Sequence, residues 1–135
     1  MALVILIVPH DDIALIEVAR VKRGIRSDWR DALEEPIALW DGPELAEALR
    51  LIEQMPEGEL MRCFTPGFGI RIHDKSDLRA EVLFCFHCEM ALMIDLKNPQ
   101  STQTGASFDP DSEPARDLLS RFQNAVATHA ASPDS

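Results

Sequence analysis

Three cysteines and a histidine are the residues whose types and spacing suggest chemistry. Cys85 and Cys88 form a C-x-x-C pair around His87, and Cys63 lies upstream. Zinc binds thiolate and imidazole in a tetrahedral shell, so Cys63, Cys85, Cys88 and His87, or His73 instead, are candidate metal ligands. Only one C-x-x-C pair is present, and the alternative is that the thiols pack as small hydrophobic groups. We therefore predict a protein without a cofactor, with zinc as the alternative.

A predicted β-hairpin would position the second and third cysteines. Apolar and polar residues alternate along two segments, about 67–73 and 78–87, which a short polar turn separates. In the favoured register Arg71 lies opposite Glu81, because the neighbouring register would place Arg71 against Arg79 and oppose like charges.

The same strand geometry separates the two thiols of the C-x-x-C pair. Successive side chains of a strand point to opposite faces, so an unbroken ladder puts Cys63, Cys85 and His87 on the polar face and Cys88 on the core face. A metal site would need a turn or bulge after Phe86 that brings the thiols together. Redox catalysis is disfavoured because the flanks indicate strand rather than a helix N-terminus.

The other elements predict an α+β fold, with a small antiparallel sheet around the central hairpin and two or three helices packed on it. Helical spacing, capping residues and prolines predict the helices at about 28–35, 43–55 and 113–128. An apolar run predicts a buried strand at 3–8, strand is favoured over helix at 13–22, and 97–111 is expected to be a loop. We expect one domain over 1–130 and a disordered tail at 131–135.

Composition limits the classes of function. The 135-residue chain carries a formal net charge of −10, which disfavours binding to nucleic acid or anionic membranes. The first apolar run is too short to span a bilayer and lacks the features of a signal peptide, so we expect a cytoplasmic protein with reduced thiols. The sequence has no phosphate loop, metalloprotease helix or nucleophile elbow, so an enzyme is not predicted.

Negative charge is concentrated between Asp31 and Glu59, where nine acidic residues accompany a single cation, Arg50. One interpretation is a solvated helix face. The other is a docking surface for a basic protein partner, because complementary charge speeds encounter and suppresses wrong partners. The candidate partner-binding residues are Glu34, Glu35, Asp41, Glu44 and Glu47.

The C-terminal half carries the segments R-C-F-x-P-G from Arg62, F-C-F-H-C from Phe84 and F-D at Phe108, followed by a Leu-Leu helix. In this spacing it resembles a group of small bacterial proteins with no established activity. The resemblance implies a recurring fold and no catalytic residue. Analogy with small acidic immunity proteins suggests a non-enzymatic, immunity-type inhibitor of a basic bacterial partner. Homo-oligomerisation stays open, since a second subunit could cover the hairpin.

Overall fold

The computed structural model describes residues 10–23, 29, 31–59, 66–97 and 104–131, and this part of the chain has an α+β fold. It contains a six-stranded antiparallel sheet and two α-helices, preceded by a short 3-10 helix, His10–Asp12. The strands are β1 (Leu15–Val21), β2 (Leu33–Trp40), β3 (Phe68–His73), β4 (Leu78–Cys85), β5 (Met90–Asp95) and β6 (Thr104–Ser107). The helices are α1 (Gly42–Gln54) and α2 (Glu113–Ala131). The strand order is β2-β1-β3-β4-β5-β6, so β2 and β6 are the edge strands.

The predicted central hairpin is confirmed as β3 and β4. Phe68 pairs with Phe84, and Arg71 pairs with Glu81, as the charge argument favoured. The strand favoured over 13–22 is confirmed as β1, which pairs with β3 on one side and β2 on the other.

Two segments differ from their predictions. The optional helix at 28–35 does not form across Leu33–Glu35, which begin β2 instead. Leu33 lies opposite Val21 and is 2% exposed, so pairing and burial override its helical spacing with Trp29. The expected loop at 97–111 contains β6, which extends the sheet beyond β5. The strand predicted at 3–8 and the tail residues 132–135 lie outside the described residues.

Both remaining helices are confirmed at the predicted places. Pro43 lies in the first turn of α1, where its missing N–H has no intrahelical acceptor to lose, and Pro56 follows the helix end. Before α2, the hydroxyl of Ser112 accepts a hydrogen bond from the backbone N–H of Ala115 at 3.4 Å. No helix in the described segments is long and apolar enough to cross a membrane.

The main core lies between the two helices and one face of the sheet. Each helix buries one apolar stripe against the strands, formed by Leu45, Ala48, Leu49 and Ile52 in α1 and by Ala115, Leu118, Phe122 and Ala125 in α2. The opposite face, called the polar face below, holds a small apolar cluster of Ala19, Ala32, Leu33, Leu83 and Ile94 beside charged residues. The sheet therefore has a fully apolar side and a mixed side.

Candidate functional site

The backbone hydrogen bonds of β1 show which groups of β2 are engaged. Val21 donates its N–H to the carbonyl of Gly67 at 3.1 Å, on the β3 side. Lys22 donates to the carbonyl of Ala32 at 2.7 Å, on the β2 side. Because hydrogen-bonding direction alternates along a strand, the odd-numbered residues of β1 bond to β3 and the even-numbered residues bond to β2.

This alternation leaves backbone groups of β2 directed away from the sheet. Trp40 lies opposite Ile16, and Ala38 lies opposite an even-numbered residue too, so both bond to β1. The N–H and C=O groups of Leu39, which lies between them, then point outward, since β2 is the last strand on this side of the described sheet. The alternation does not extend to Ile37, because the pairing with β1 shifts register between Ala38 and Pro36. Ile37–Trp40 is called the open edge below.

A groove of about 310 Å³ runs beside the open edge, on the side where α2 packs. Its walls are the open edge, Glu44 of α1 and a row of α2 side chains formed by Arg121, Asn124, Ala125 and Thr128. The side chain of Leu39 is 59% exposed, which is unusual among the large apolar residues of the described chain. The groove therefore combines apolar and charged lining residues.

The wall of the groove is held by stacked aromatic rings. Trp40 is 7% exposed, and its ring lies 5.6 Å from that of Phe122 at an angle of 5°. Phe122 in turn stacks on Phe68 at 5.2 Å. Because these rings tie β2, β3 and α2 together, the groove is a preformed feature of the core.

Two of the predicted partner-binding carboxylates are engaged in ion pairs. Glu34 lies 3.7 Å from the guanidinium of Arg20. Glu47 accepts hydrogen bonds from Arg50, which holds the pKa of this carboxyl below its usual range, and lies 3.9 Å from Arg121. The charge of these carboxylates is partly balanced within the chain.

The other three carboxylates flank Ile37–Trp40 in the sequence and have no such balance. Glu35, Asp41 and Glu44 are exposed, and none forms an ion pair with another described residue. Asp41 precedes α1 but makes no side-chain capping bond, so its carboxylate also faces solvent. These three residues are called the acidic rim.

The C-x-x-C pair lies at the other end of the sheet, where β4 turns into β5. The strand ends at Cys85, and Phe86–Glu89 form a turn, so the break required for the two cysteines to meet does exist. The backbone N–H of Cys88 donates to the sulfur of Cys85 at 3.1 Å. His87 is exposed on the turn, away from this buried pair.

The oxidation states of the two cysteines differ. Cys85 is a free thiol and is 1% exposed. Cys88 is buried and disulfide-bonded, which departs from the expectation that all three thiols stay reduced. Cys63 lies outside the described residues. Within the described ranges, no group of three or more His, Cys, Asp or Glu side chains is placed to hold a metal ion.

His73, the other imidazole considered for zinc, lies on the polar face, among charged residues. Its Nε2 atom is 3.5 Å from the carboxylate of Glu17, which also lies 3.6 Å from Arg71. Arg71 pairs in turn with Glu81 at 3.4 Å. Glu17, Arg71 and Glu81 form an ion-pair network across three strands, with His73 beside it and separate from the cysteines.

The prediction from sequence found the acidic residues of this region but missed the groove. The signal was present as the apolar run Ile37–Trp40 between Pro36 and the turn at Asp41-Gly42. Assigning the preceding residues to a helix concealed it. The α2 side of the groove had no signal, since nothing in the sequence shows which strand α2 meets.

Comparisons with protein-family models, with curated proteins and with solved structures found no match for this chain.

Proposed function

We propose that this chain is a non-enzymatic binding protein whose acidic rim engages a basic protein partner. The observation that carries the proposal is that Glu35, Asp41 and Glu44 are three exposed carboxylates without a described counter-ion. Glu44 lines the open groove, Glu35 lies in β2, and Asp41 directly follows β2. Carboxylates that are not neutralised internally supply a field that attracts a basic surface. The net charge of −10 adds to this attraction at longer range.

An immunity-type inhibitor is the specific form of binding protein that we propose. Such a protein acts by covering a basic site on its partner, and it needs shape and charge rather than catalytic groups. The groove and the acidic rim would supply both. The bacterial cytoplasm is the location proposed for this activity.

The test is co-purification from the native host. It compares how well two variants of equal net charge retain basic proteins. One reverses the acidic rim to lysine at Glu35, Asp41 and Glu44. The control reverses three exposed carboxylates elsewhere, at Glu57, Glu59 and Glu113. We expect the wild type and the control to retain a basic protein at low salt and to release it at high salt. The rim variant should not retain it at low salt.

Two results would contradict the proposal. One is that no basic protein is retained at any salt concentration. The other is that the two variants retain it equally, which would make net charge rather than the acidic rim responsible.

A second candidate function is thiol chemistry or zinc binding at the cysteines. The turn at Phe86–Glu89 favours it, because it brings the buried thiol of Cys85 next to the backbone of Cys88. Cys88 could supply a thiolate to a metal only after reduction of its disulfide. Disulfides are uncommon in a reducing cytoplasm, so this bond bears on the proposed location as well.

Thiol counting and elemental analysis test this candidate together. Protein alkylated directly in lysed cells should show one blocked thiol per chain if the disulfide exists in vivo, and three if the cytoplasm keeps it reduced. Reduced protein supplied with zinc should bind about one ion per chain if Cys63, Cys85 and Cys88 form a site. Less than about one-tenth of an ion per chain rejects the zinc form.

A further inference from the structure

We propose that a cavity at the end of β1 binds a small aromatic anion of the class of a nucleoside monophosphate, with the phosphate on arginine and the ring against Trp29. This cavity, called the cationic cavity below, shares no lining residue with the groove beside the open edge. The inference therefore adds a second site and does not depend on the acidic rim.

Positive charge is concentrated in one stretch of an otherwise acidic chain. The stretch from Arg20 to Arg30 contains five of the 13 basic residues of the chain and one acidic residue, Asp28. Three of the five, Arg20, Lys22 and Arg23, line the cationic cavity. The other two lie outside the described residues, so the site proposed here rests on these three cations.

The cationic cavity is built from the ends of three neighbouring strands. Val21, the last residue of β1, lies opposite the first residue of β2 and donates its N–H to the carbonyl of Gly67, which precedes β3. The cavity has a volume of about 700 Å³, within the range of about 300–1,000 Å³ typical of small-molecule sites. Its walls are formed by the three cations with Val21, Trp29, Glu34, Pro66 and Gly67.

The cations of the cavity are only weakly engaged within the chain. Arg20 lies 3.7 Å from Glu34, but the two side chains are 52% and 47% exposed, and ion pairs between exposed groups contribute little. Lys22 donates a hydrogen bond from Nζ to the carbonyl of Asp31 at 3.1 Å. Arg23 is exposed and forms no ion pair with another residue of the described segments.

This charge balance suits a phosphate. The lining carries three cations and one carboxylate, so its net charge is positive. A guanidinium donates two parallel hydrogen bonds to phosphate oxygens, which makes arginine well suited to bind this group. Arg23 can bind a phosphate without giving up an ion pair, and Arg20 would exchange only a long, exposed one.

Trp29 adds an aromatic surface to the same cavity. Its side chain is half-buried and packs against the small apolar cluster of the polar face, while it also forms part of the cavity wall. An indole makes favourable contacts with another planar ring, and such contacts tolerate any nucleobase. Cations and an indole in one cavity therefore match a ligand that has both a ring and a phosphate.

The charge of the whole chain selects a small ligand over a nucleic acid. A polyanion would extend beyond the cavity and meet a protein of net charge −10. A monophosphate is short enough to interact mainly with the cations of the cavity, because charges farther away are screened by salt.

The test follows the two indole N–H resonances by NMR as adenosine 5′-monophosphate is added in a phosphate-free buffer. The chain has two tryptophans, and Trp29→Phe assigns their resonances. The resonance of Trp29 should shift to saturation, whereas that of Trp40, which is buried in the core, should not move. Adenosine and ribose 5-phosphate should each bind at least about tenfold more weakly, since each lacks one of the two interactions.

Substitutions separate the two interactions. Arg23→Gln should weaken binding of the monophosphate at least about fivefold and leave adenosine binding nearly unchanged. Arg116→Gln, at an exposed arginine of α2 outside the cavity, changes the net charge equally and should alter binding by less than about twofold. Trp29→Leu, followed through the backbone amides of Lys22 and Gly67, should reduce binding of the monophosphate to the level of ribose 5-phosphate.

Three results would overturn the inference. The first is that the monophosphate leaves the Trp29 resonance unmoved. The second is that Arg23→Gln and Arg116→Gln weaken binding equally, which would make net charge responsible. The third is that ribose 5-phosphate binds as tightly as the monophosphate, which would exclude a contribution from the ring. None of these results bears on the acidic rim, and the co-purification test judges the proposed function independently.

Discussion

Arg71 joins three strands through contacts on the polar face of the sheet. Its guanidinium pairs with Glu17 of β1 at 3.6 Å and with Glu81 of β4 at 3.4 Å. It also donates hydrogen bonds to the backbone carbonyls of Leu33 and Glu34, each at 2.9 Å. A side chain of β3 thus reaches across β1 to fix the beginning of β2, the strand that carries the open edge.

Glu81 is the network residue whose charge is most affected by its surroundings. It is 5% exposed, and burial raises the pKa of its carboxyl above the ordinary value of 4.5, although Arg71 opposes this shift. The unfolded chain therefore releases this proton at lower pH than the folded protein does. The free energy of unfolding therefore falls as the pH rises from the pKa of Glu81 in the unfolded chain to its pKa in the folded protein.

We predict a pH-dependent difference between the wild type and Glu81→Gln. The free energy of unfolding of the wild type should fall relative to that of the variant as pH rises above about 4.5, because the variant has no carboxyl to ionise. Urea denaturation at several pH values measures it. Glu57→Gln, at an exposed position, should show no such trend, and a constant difference for Glu81→Gln would refute the burial effect.

A glycine in β3 allows β2 to pack closely. A Cβ atom at Gly69 would overlap the side chain of Leu33 and lie 2.9 Å from the carbonyl oxygen of Val82. Gly67, two residues earlier, has no atom within 4 Å of the corresponding position. The start of β2 is therefore positioned by the packing of Leu33 against Gly69 as well as by the hydrogen bonds from Arg71.

We predict that Gly69→Ala destabilises the protein by about 1–3 kcal/mol, because Leu33 must move or the strands must separate. Gly67→Ala should change stability by less than about 1 kcal/mol. Urea unfolding followed by circular dichroism compares the two variants. Equal effects would mean that Leu33 repacks without loss.

Sequence patterns predicted the helices and strands whose local residue spacing agrees with their pairing and burial in the fold. The register of β3 and β4 followed from one charge pair, and both helices followed from their prolines, caps and stripes. β2 was missed because Trp29 and Leu33 also fit helical spacing, and only pairing with β1 decides between the two structures. β6 has small polar residues that carry no apolar pattern, so its pairing with β5 could not be predicted.

Phe122 connects the layers of the fold. Its ring contacts those of Trp40, Phe68, Phe84 and Phe86, which come from β2, β3, β4 and the turn after β4. The side chain is completely buried. One residue of α2 therefore supports both the core and the wall of the groove.

We predict that Phe122→Ala lowers the free energy of unfolding by about 3–5 kcal/mol through the cavity it leaves. Gln123→Ala, the exposed neighbour, should stay within about 0.5 kcal/mol of the wild type. Denaturant unfolding measures both, and Trp fluorescence should report the altered environment of Trp40. A loss below about 1 kcal/mol would show that other rings fill the space.

The candidate site was only partly predictable, because its residues come from distant parts of the chain. Its acidic rim comes from one stretch of sequence and was found by counting charges. The groove needs α2 and β2 to pack side by side, and these elements are far apart in the chain. Composition and spacing cannot supply that contact, which arises from how α2 crosses the sheet.

Pro36 limits how far the open edge can be extended. It lies in β2 where the pairing with β1 shifts register on both sides, and it has no N–H to donate. Regular pairing with β1 therefore covers only Ala38, Leu39 and Trp40, and the regular part of this edge is short. Long, flat, exposed edges let copies of a protein stack into fibrils, and a short edge bordered by a proline, a bulge and carboxylates resists that growth. A proline and a break in the strand pairing thus protect a concentrated protein from aggregation.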